Sequence, residues 1–269
     1  MIRLVKIELT KIKSNNTFWA LSLIYVVVIA LLFFSFRQFL SSINVDGQID
    51  NILPDPKKIP VYQFPDVWQN FTFVSRFIRI ILGVLIIVLI TNEIGFRTLR
   101  QNVMTGLSRS EFFLSKFSMV ILLAAGSAVL HLIIGLVFGF IHTDVMGIGM
   151  VFQGMGFILA LFLQMMAYLT FAFFIGLLIT KPGLSIIAVL IYSWIFEPII
   201  RLLVKNFVSK EAINYFPIKA INNLIHRPFD KYFLQEIQDY VAFGEILLVL
   251  GYISLFIFLS LIILKSRDL

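Results

Sequence analysis

The chain has 269 residues, 59% of them hydrophobic, with 29 phenylalanines and no cysteine, and its mean hydropathy is +0.96. A soluble domain with that load would expose large apolar patches, so the composition excludes a water-soluble globule and points to one polytopic helical membrane domain. The net charge of +7 does not mark a nucleic-acid binder: most cations stand beside the ends of apolar runs, where topology signals and lipid headgroups account for them.

Residues 1–16 form a basic prelude in which Ile2, Val5, Leu9 and Ile12 make an apolar stripe amid Arg3, Lys6, Lys11 and Lys13. Such a helix is expected to lie in the cytoplasmic interface rather than cross the membrane. The apolar run after it is too long for a signal peptide and lacks a small-residue cleavage site, so cleavage is not expected. That run, 17–36, is the first span, near the roughly 20 residues a bilayer core needs. An extended, irregular outside segment is expected over 37–65, with four prolines and with Tyr62, Phe64 and Trp68 as interface anchors. Asp66 and Gln69 have capping-box spacing and are expected to start the second helix, whose span is 71–90.

A polar island, 91–116, separates the second run from the third. Its four cations, Arg97, Arg100, Arg109 and Lys116, face two acids, Glu93 and Glu111. Ser108 and Glu111 have capping-box spacing, and Gly106 before them suits a chain break, so a helix is expected to begin near Ser108. Leu99, Val103 and Leu107 recur at helical spacing against Arg97, Arg100 and Gln101, which predicts a short amphipathic helix on the membrane surface.

The remaining spans are 117–141, 151–179, 184–200 and 244–264. The turn Thr180-Lys181-Pro182-Gly183 joins the fourth to the fifth, and proline is tolerated at a helix start. Residues 201–243 mix apolar and charged side chains and are expected to form short helices on, or dipping into, the outer leaflet. Cations concentrate in the prelude, the polar island, Lys181 and the tail, so both termini are expected to be cytoplasmic.

The polar residues within the spans have two readings each. Arg76 and Arg79 share a face of span two; counting back from Asn92 at about 1.5 Å per residue puts them within roughly 10 Å of the outer surface. They either snorkel to headgroups or bind an anionic, lipid-like cargo. His131 lies on a face with Ser127, Gly135 and Gly139, a small-residue track for a packed helix; the sharper reading places it on a substrate path. Gln164 and Tyr168 form an i, i+4 pair read as an interhelical hydrogen bond. At Glu197-Pro198 the helix is expected to stop, with a pathway carboxylate as the alternative. None of the three histidines has a metal-ligand partner at i+3 or i+4. Glu93 closes a span at a helix C-terminus, where its charge is disfavoured; pairing with Arg97 would return only about 0–1 kcal/mol, so a role beyond stability is expected.

Glu93, Phe96, Arg97, Thr98, Leu99, Arg100, Leu107, Ser108, Arg109 and Lys116 together resemble the corresponding stretch in the membrane subunit of type-2 ATP-binding-cassette (ABC) transporters. Many members of that family carry Gly before Thr98 and Pro near Leu107, where this chain has Arg97 and Gly106-Leu107. The resemblance implies an all-α polytopic membrane protein of six transmembrane helices. It adds an N-terminal interfacial helix, a cytoplasmic coupling segment between helices two and three (Val103 included), and outer-leaflet helices between five and six. It further implies an export permease in a cell membrane, of the bacterial inner-membrane kind, paired with a second permease subunit as homodimer or heterodimer and surrounded by lipid. ATP and Mg would be bound by a separate ABC ATPase subunit and nothing by this chain, which contains no GxxxxGK[ST] loop. No nucleic-acid partner is expected.

Two other classes compete. A non-transporting membrane anchor or sensor can share such a fold. An intramembrane enzyme needs converging nucleophile, base or metal ligands, and the ionisable residues inside the spans are too few and scattered.

Overall fold

The computed structural model describes residues 2–42, 61–96, 98, 101, 104, 106–144, 147–207, 211–228 and 240–266. Among these residues the elements are helical: α1 (Ile2–Lys13), α2 (Asn16–Ser42), α3 (Asp66–Gly95), α4 (Arg109–His142), α5 (Ile148–Phe152), α6 (Gly156–Ile179), α7 (Pro182–Ile191), a π-helical turn (Tyr192–Phe196), α8 (Glu197–Phe207), a 3₁₀ turn (Ala212–Tyr215), α9 (Pro217–Asn223) and α10 (Phe243–Ser266). Six segments are long and apolar enough to cross a membrane, namely Asn16–Ser35, Asp66–Gly95, Arg109–His142, Gly149–Ile179, Pro182–Lys205 and Phe243–Ser266. Successive spans run in opposite directions, so α1, Gly95 and Arg109 share one end of the bundle (the near end), and α5 and α9 share the other (the far end).

Helix α6 is the axis. It has no Asp, Glu, Lys, Arg or His, and Leu161, Met165, Ala172 and Leu177 along it are fully buried. It packs against α3, α4, α7, α9 and α10. Without water to drive association, such helices hold together by close van der Waals fit, which small residues permit. A Cβ on Gly83 of α3 would stand 3.0 Å from Tyr168 Cε1 of α6, and one on Gly176 of α6 would stand 2.7 Å from Ile90 Cγ2 of α3.

Several expectations are corrected. Tyr62, Phe64 and Trp68 are not interface anchors but core, at 4%, 6% and 0% exposure. The reason lies across the interface: Gly135 and Gly139 of α4 leave slots, and a Cβ there would fall 2.6 Å from Trp68 Cζ3 and 2.2 Å from Phe64 Cζ. Trp68 also donates from its ring nitrogen to Val151 O at 2.9 Å. The second helix starts at Asp66 as expected, but with Pro65 as its N-cap and no side-chain bond from that cap; Gln69 Nε2 donates to the His226 carbonyl at 3.3 Å. The first helix runs on to Ser42, so 37–42 is helical; 43–60 lies outside the described residues. The fourth span is interrupted at Gly154, whose φ of +85 falls in the left-handed region that glycine alone enters freely.

The fifth helix does not stop at Glu197-Pro198. Glu197 N–H reaches back five residues to Tyr192 O, closing the π turn, and α8 continues to Phe207. A proline lacks the amide for an i−4 bond and its ring crowds that carbonyl; a widened turn just before it accommodates both defects. Within 201–243, α9 buries Ile218, Ala220 and Ile221 in the bundle. In helix α1, Ile12 of the apolar stripe and Glu8 beside it are buried against the bundle, while Leu9 is exposed.

Gly139→Ala is expected to lower the melting temperature of the purified protein, since overpacking a tight contact typically costs about 1–3 kcal/mol. Gly126→Ala, where an added Cβ meets nothing within 4 Å, is expected to be neutral or stabilising because it removes a helical glycine. Equal melting shifts for the two variants would show that the ring-in-slot contact is not what seats α4.

Candidate functional site

The near end is organised by a charged knot. Lys116, near the start of α4, sends its Nζ to Glu8 Oε2 of α1 at 2.5 Å and also to Glu93 Oε1 at the end of α3. Lys11 Nζ of α1 lies 3.1 Å from Glu93 Oε1 and 3.4 Å from Glu8 Oε1. Two ammonium groups thus hold two carboxylates, joining three helices that are remote in sequence. The side chains of Lys116 and Glu8 are each only 6% exposed. Burial disfavours ionisation of Glu8, but the Lys116 and Lys11 charges outweigh it and hold its carboxyl below the ordinary value. For Lys11 burial also opposes the charge, yet Glu93 and Glu8 outweigh it and raise the ammonium above its ordinary value. The knot answers the dipole problem at Glu93, because cations offset a carboxylate at a helix C-terminus.

Around the knot, Thr98 Oγ1 donates to Glu93 O at 2.8 Å. Gly106 has φ +98, and Ser108 caps α4 with the expected box: Glu111 N–H donates to Ser108 Oγ at 3.2 Å and Ser108 N–H to Glu111 Oε2 at 2.8 Å. Leu107 is half-buried against the core. Arg109 Nη1 donates to Leu264 O at 3.2 Å and to Lys265 O, satisfying the carbonyls at the end of α10. Arg109 and Lys116, both expected to face a partner, are therefore occupied inside the chain. Phe96 and Met104 stand out instead, at 76% and 71% exposure. Arg97, Leu99, Arg100 and Val103 lie outside the described residues.

The other polar cluster lies between α3, α6 and the fifth span. Arg79 is 5% exposed, its guanidinium 4.4 Å from the Tyr168 ring centroid. Arg76 lies one turn away over Phe73, at 4.3 Å. Arg79 does not snorkel; it lines a cavity of about 220 Å³ with Arg76, Tyr168, Ser193, Trp194 and Asn222. Glu197 is buried beside it but engaged elsewhere: its carboxylate accepts the Ile218 and Lys219 amides at 2.8 and 2.7 Å, fixing the start of α9. Arg201 Nε stands 3.8 Å from it. Gln164 makes the expected interhelical hydrogen bond, its Nε2 donating to Ile221 O of α9 at 3.0 Å. His131 is fully buried, with Nδ1 2.8 Å from Ser127 O and the ring edge-on to Phe33. Ser127 Oγ and Tyr25 OH are 2.6 Å apart, so this face joins α4 to α2. Among the described residues no group of three His, Cys, Asp or Glu is placed to hold a metal ion.

Sequence reasoning missed Glu8, Lys11, Ser193, Trp194 and Asn222 as site residues. Glu8 had a signal, being the one acid in the basic prelude; the cavity residues come from segments whose approach no local pattern announces.

A family model described as "ABC-2 family transporter protein" matches residues 4–195. No curated protein matches the chain.

Because the chain lacks cysteine, a lone cysteine replacing Ile12 reports whether α1 is docked. In Lys116→Met the carboxylates of Glu8 and Glu93 lose their shared cation, which is expected to cost about 3 kcal/mol and expose that cysteine to a thiol reagent. Glu8 has a depressed folded pKa, so its contribution is present above the ordinary carboxylate range and lost as pH falls through the folded value. Lys11 has a raised one, so its contribution is present below the ordinary lysine value and lost as pH rises through the folded value. With Lys116 intact, accessibility is therefore expected to stay flat from about pH 6 to about pH 9 and to rise below about pH 4.

Proposed function

The chain belongs to the ABC-2 family of transporter membrane proteins, and from that premise we propose that it forms the translocation pathway of an exporter driven by a separate ATPase. As a member of that family it is the transmembrane, non-catalytic permease component of an ABC transporter, and the family implies partnership with an ABC ATPase subunit. The proposal adds direction, mechanism and assembly. Two permease subunits pair in a cell membrane, their near ends and both termini face the cytoplasm, and an ATPase chain beneath each supplies the work. The absence of a GxxxxGK[ST] loop from the 269 residues supports placing ATP and Mg on that other chain.

The observation that carries the coupling reading is the pairing of an exposed tip with a partly buried knot. Phe96 and Met104 present apolar surface at the near end, which suits a protein partner better than water. A few residues away Glu93 is tied to Lys11 and Lys116, so a push on the tip moves α1, α3 and α4 together. An ATPase shifts the equilibrium between inward- and outward-facing arrangements only if it binds the two with different affinity. Glu93, tied into the knot, then acts as a positioning residue, and Phe96 and Met104 as docking residues.

Purification of the tagged chain from its native membrane is expected to bring down a nucleotide-binding ATPase. Phe96→Asp with Met104→Asp is expected to reduce that capture at least tenfold, while membrane insertion and the protection of a cysteine at position 12 stay unchanged. Undiminished capture by the double variant would remove the docking assignment, and the absence of any such ATPase from the wild-type preparation would remove the coupling reading itself.

A further inference from the structure

The Arg79 guanidinium is buried at a depth where a charge is expensive to keep. Buried charges are normally paired, and a buried N–H without an acceptor is destabilising. Arg79 has the Tyr168 ring on one side, but its Nη1 meets no acceptor among the described residues. Glu197, a buried carboxylate on the fifth span, is committed to the α9 amides. Arg76 lines the same cavity. Nearby at the far end, burial together with the charges of Arg201, Arg227 and Arg76, opposed only by Glu245, holds the Lys219 ammonium below its ordinary value. Two guanidinium groups, those of Arg76 and Arg79, therefore face one void.

The void has a size and a mouth. Its volume of about 220 Å³ is that of roughly seven waters at about 30 Å³ each. That is below the 300–1,000 Å³ typical of a site engulfing a drug-sized molecule. It fits a charged headgroup and not the whole of a large amphiphile. Phe77 and Trp194, both on its rim, are 50% and 63% exposed on the apolar flank of the bundle. An apolar body attached to the headgroup would lie along that flank. Guanidinium groups suit oxyanions with two or three oxygens, which they hold by paired hydrogen bonds.

We infer that this cavity binds the oxyanion headgroup, phosphate or carboxylate, of an amphiphile that enters sideways between α3 and the fifth span. Arg79 supplies the main contact and Arg76 the second. Asn222 on α9 closes the far side, so the Glu197 clamp on α9 sets how the cavity is roofed. Only the role of this site as a cargo station rests on the transport reading; binding does not, and its test contains no ATPase and no nucleotide.

The purified full-length chain is titrated in neutral detergent with short-chain phosphatidylglycerol, short-chain phosphatidylcholine and inorganic phosphate, and binding is read by native mass spectrometry and by shift of the melting temperature. Phosphatidylglycerol is expected to bind saturably and at least tenfold more tightly than phosphatidylcholine. Arg79→Gln and Arg76→Gln are each expected to weaken it at least tenfold, Arg79→Lys by less because charge survives without the planar fork, and Lys181→Gln at the near end not at all. Tighter binding of phosphatidylglycerol than of inorganic phosphate identifies an amphiphile as the source of the oxyanion, and the reverse a soluble anion. If Arg79→Gln does not fold, Arg76→Gln and Arg79→Lys decide the matter. Equal affinity for the two lipids, or wild-type affinity in the arginine variants, would overturn the site while leaving the coupling of the near end untouched.

Discussion

A polar group inside an apolar bundle has no water to bond with, so it needs a partner from the chain itself. The long-range polar bonds that join the helices among the described residues answer that constraint. Lys116 and Glu8 neutralise each other across α1 and α4, with Glu93 and Lys11 completing the set. Gln164 takes the Ile221 carbonyl, Glu197 the amides of α9, Gln69 the His226 carbonyl and Trp68 that of Val151. These bonds tie the short elements α1, α5 and α9 to the long spans, which no apolar stripe alone would orient.

The spans obey a second constraint, fit. Hydrophobicity cannot discriminate among helices all immersed in hydrocarbon, so α3 finds α6 and α4 by shape. Tyr168 lies against Gly83, Ile90 against Gly176, Trp68 in the slot at Gly135 and Phe64 in the slot at Gly139. Helix α3 carries both kinds of contact along its length: rings at the far end, Arg79 in the middle and Glu93 at the near end. It is the member through which displacement at one end would reach the other.

Much of this was legible in the sequence. The six spans came from apolar run length, and the start of α4 from Ser108, Glu111 and Gly106, because a capping box and a left-handed glycine are local signals that tertiary context seldom overrides. The small-residue track at Ser127, Gly135 and Gly139 marked a packed face correctly, though not the rings that fill it. What failed were readings that assumed depth from residue type. Tyr62, Phe64 and Trp68 have the chemistry of interface residues, yet slots on α4 draw them inside. Lys116 has the chemistry of a surface cation, yet it is buried with Glu8. A side chain's partner comes from elsewhere in the chain, and no spacing within its own segment encodes that.

The π turn at Tyr192–Phe196 shows the same dependence in miniature. A regular helix advances 100° per residue, so one residue gained inside a turn rotates everything beyond it by about that angle. Glu197 is the first residue past the widened turn and faces the bundle, whereas Trp194, Ile195 and Phe196 within it face outward. Deleting a single residue there would keep the helix apolar and long enough, and would still swing the carboxylate away from α9 toward hydrocarbon. The inward acid is thus a matter of phase, fixed by a local miscount in the winding of the fifth span.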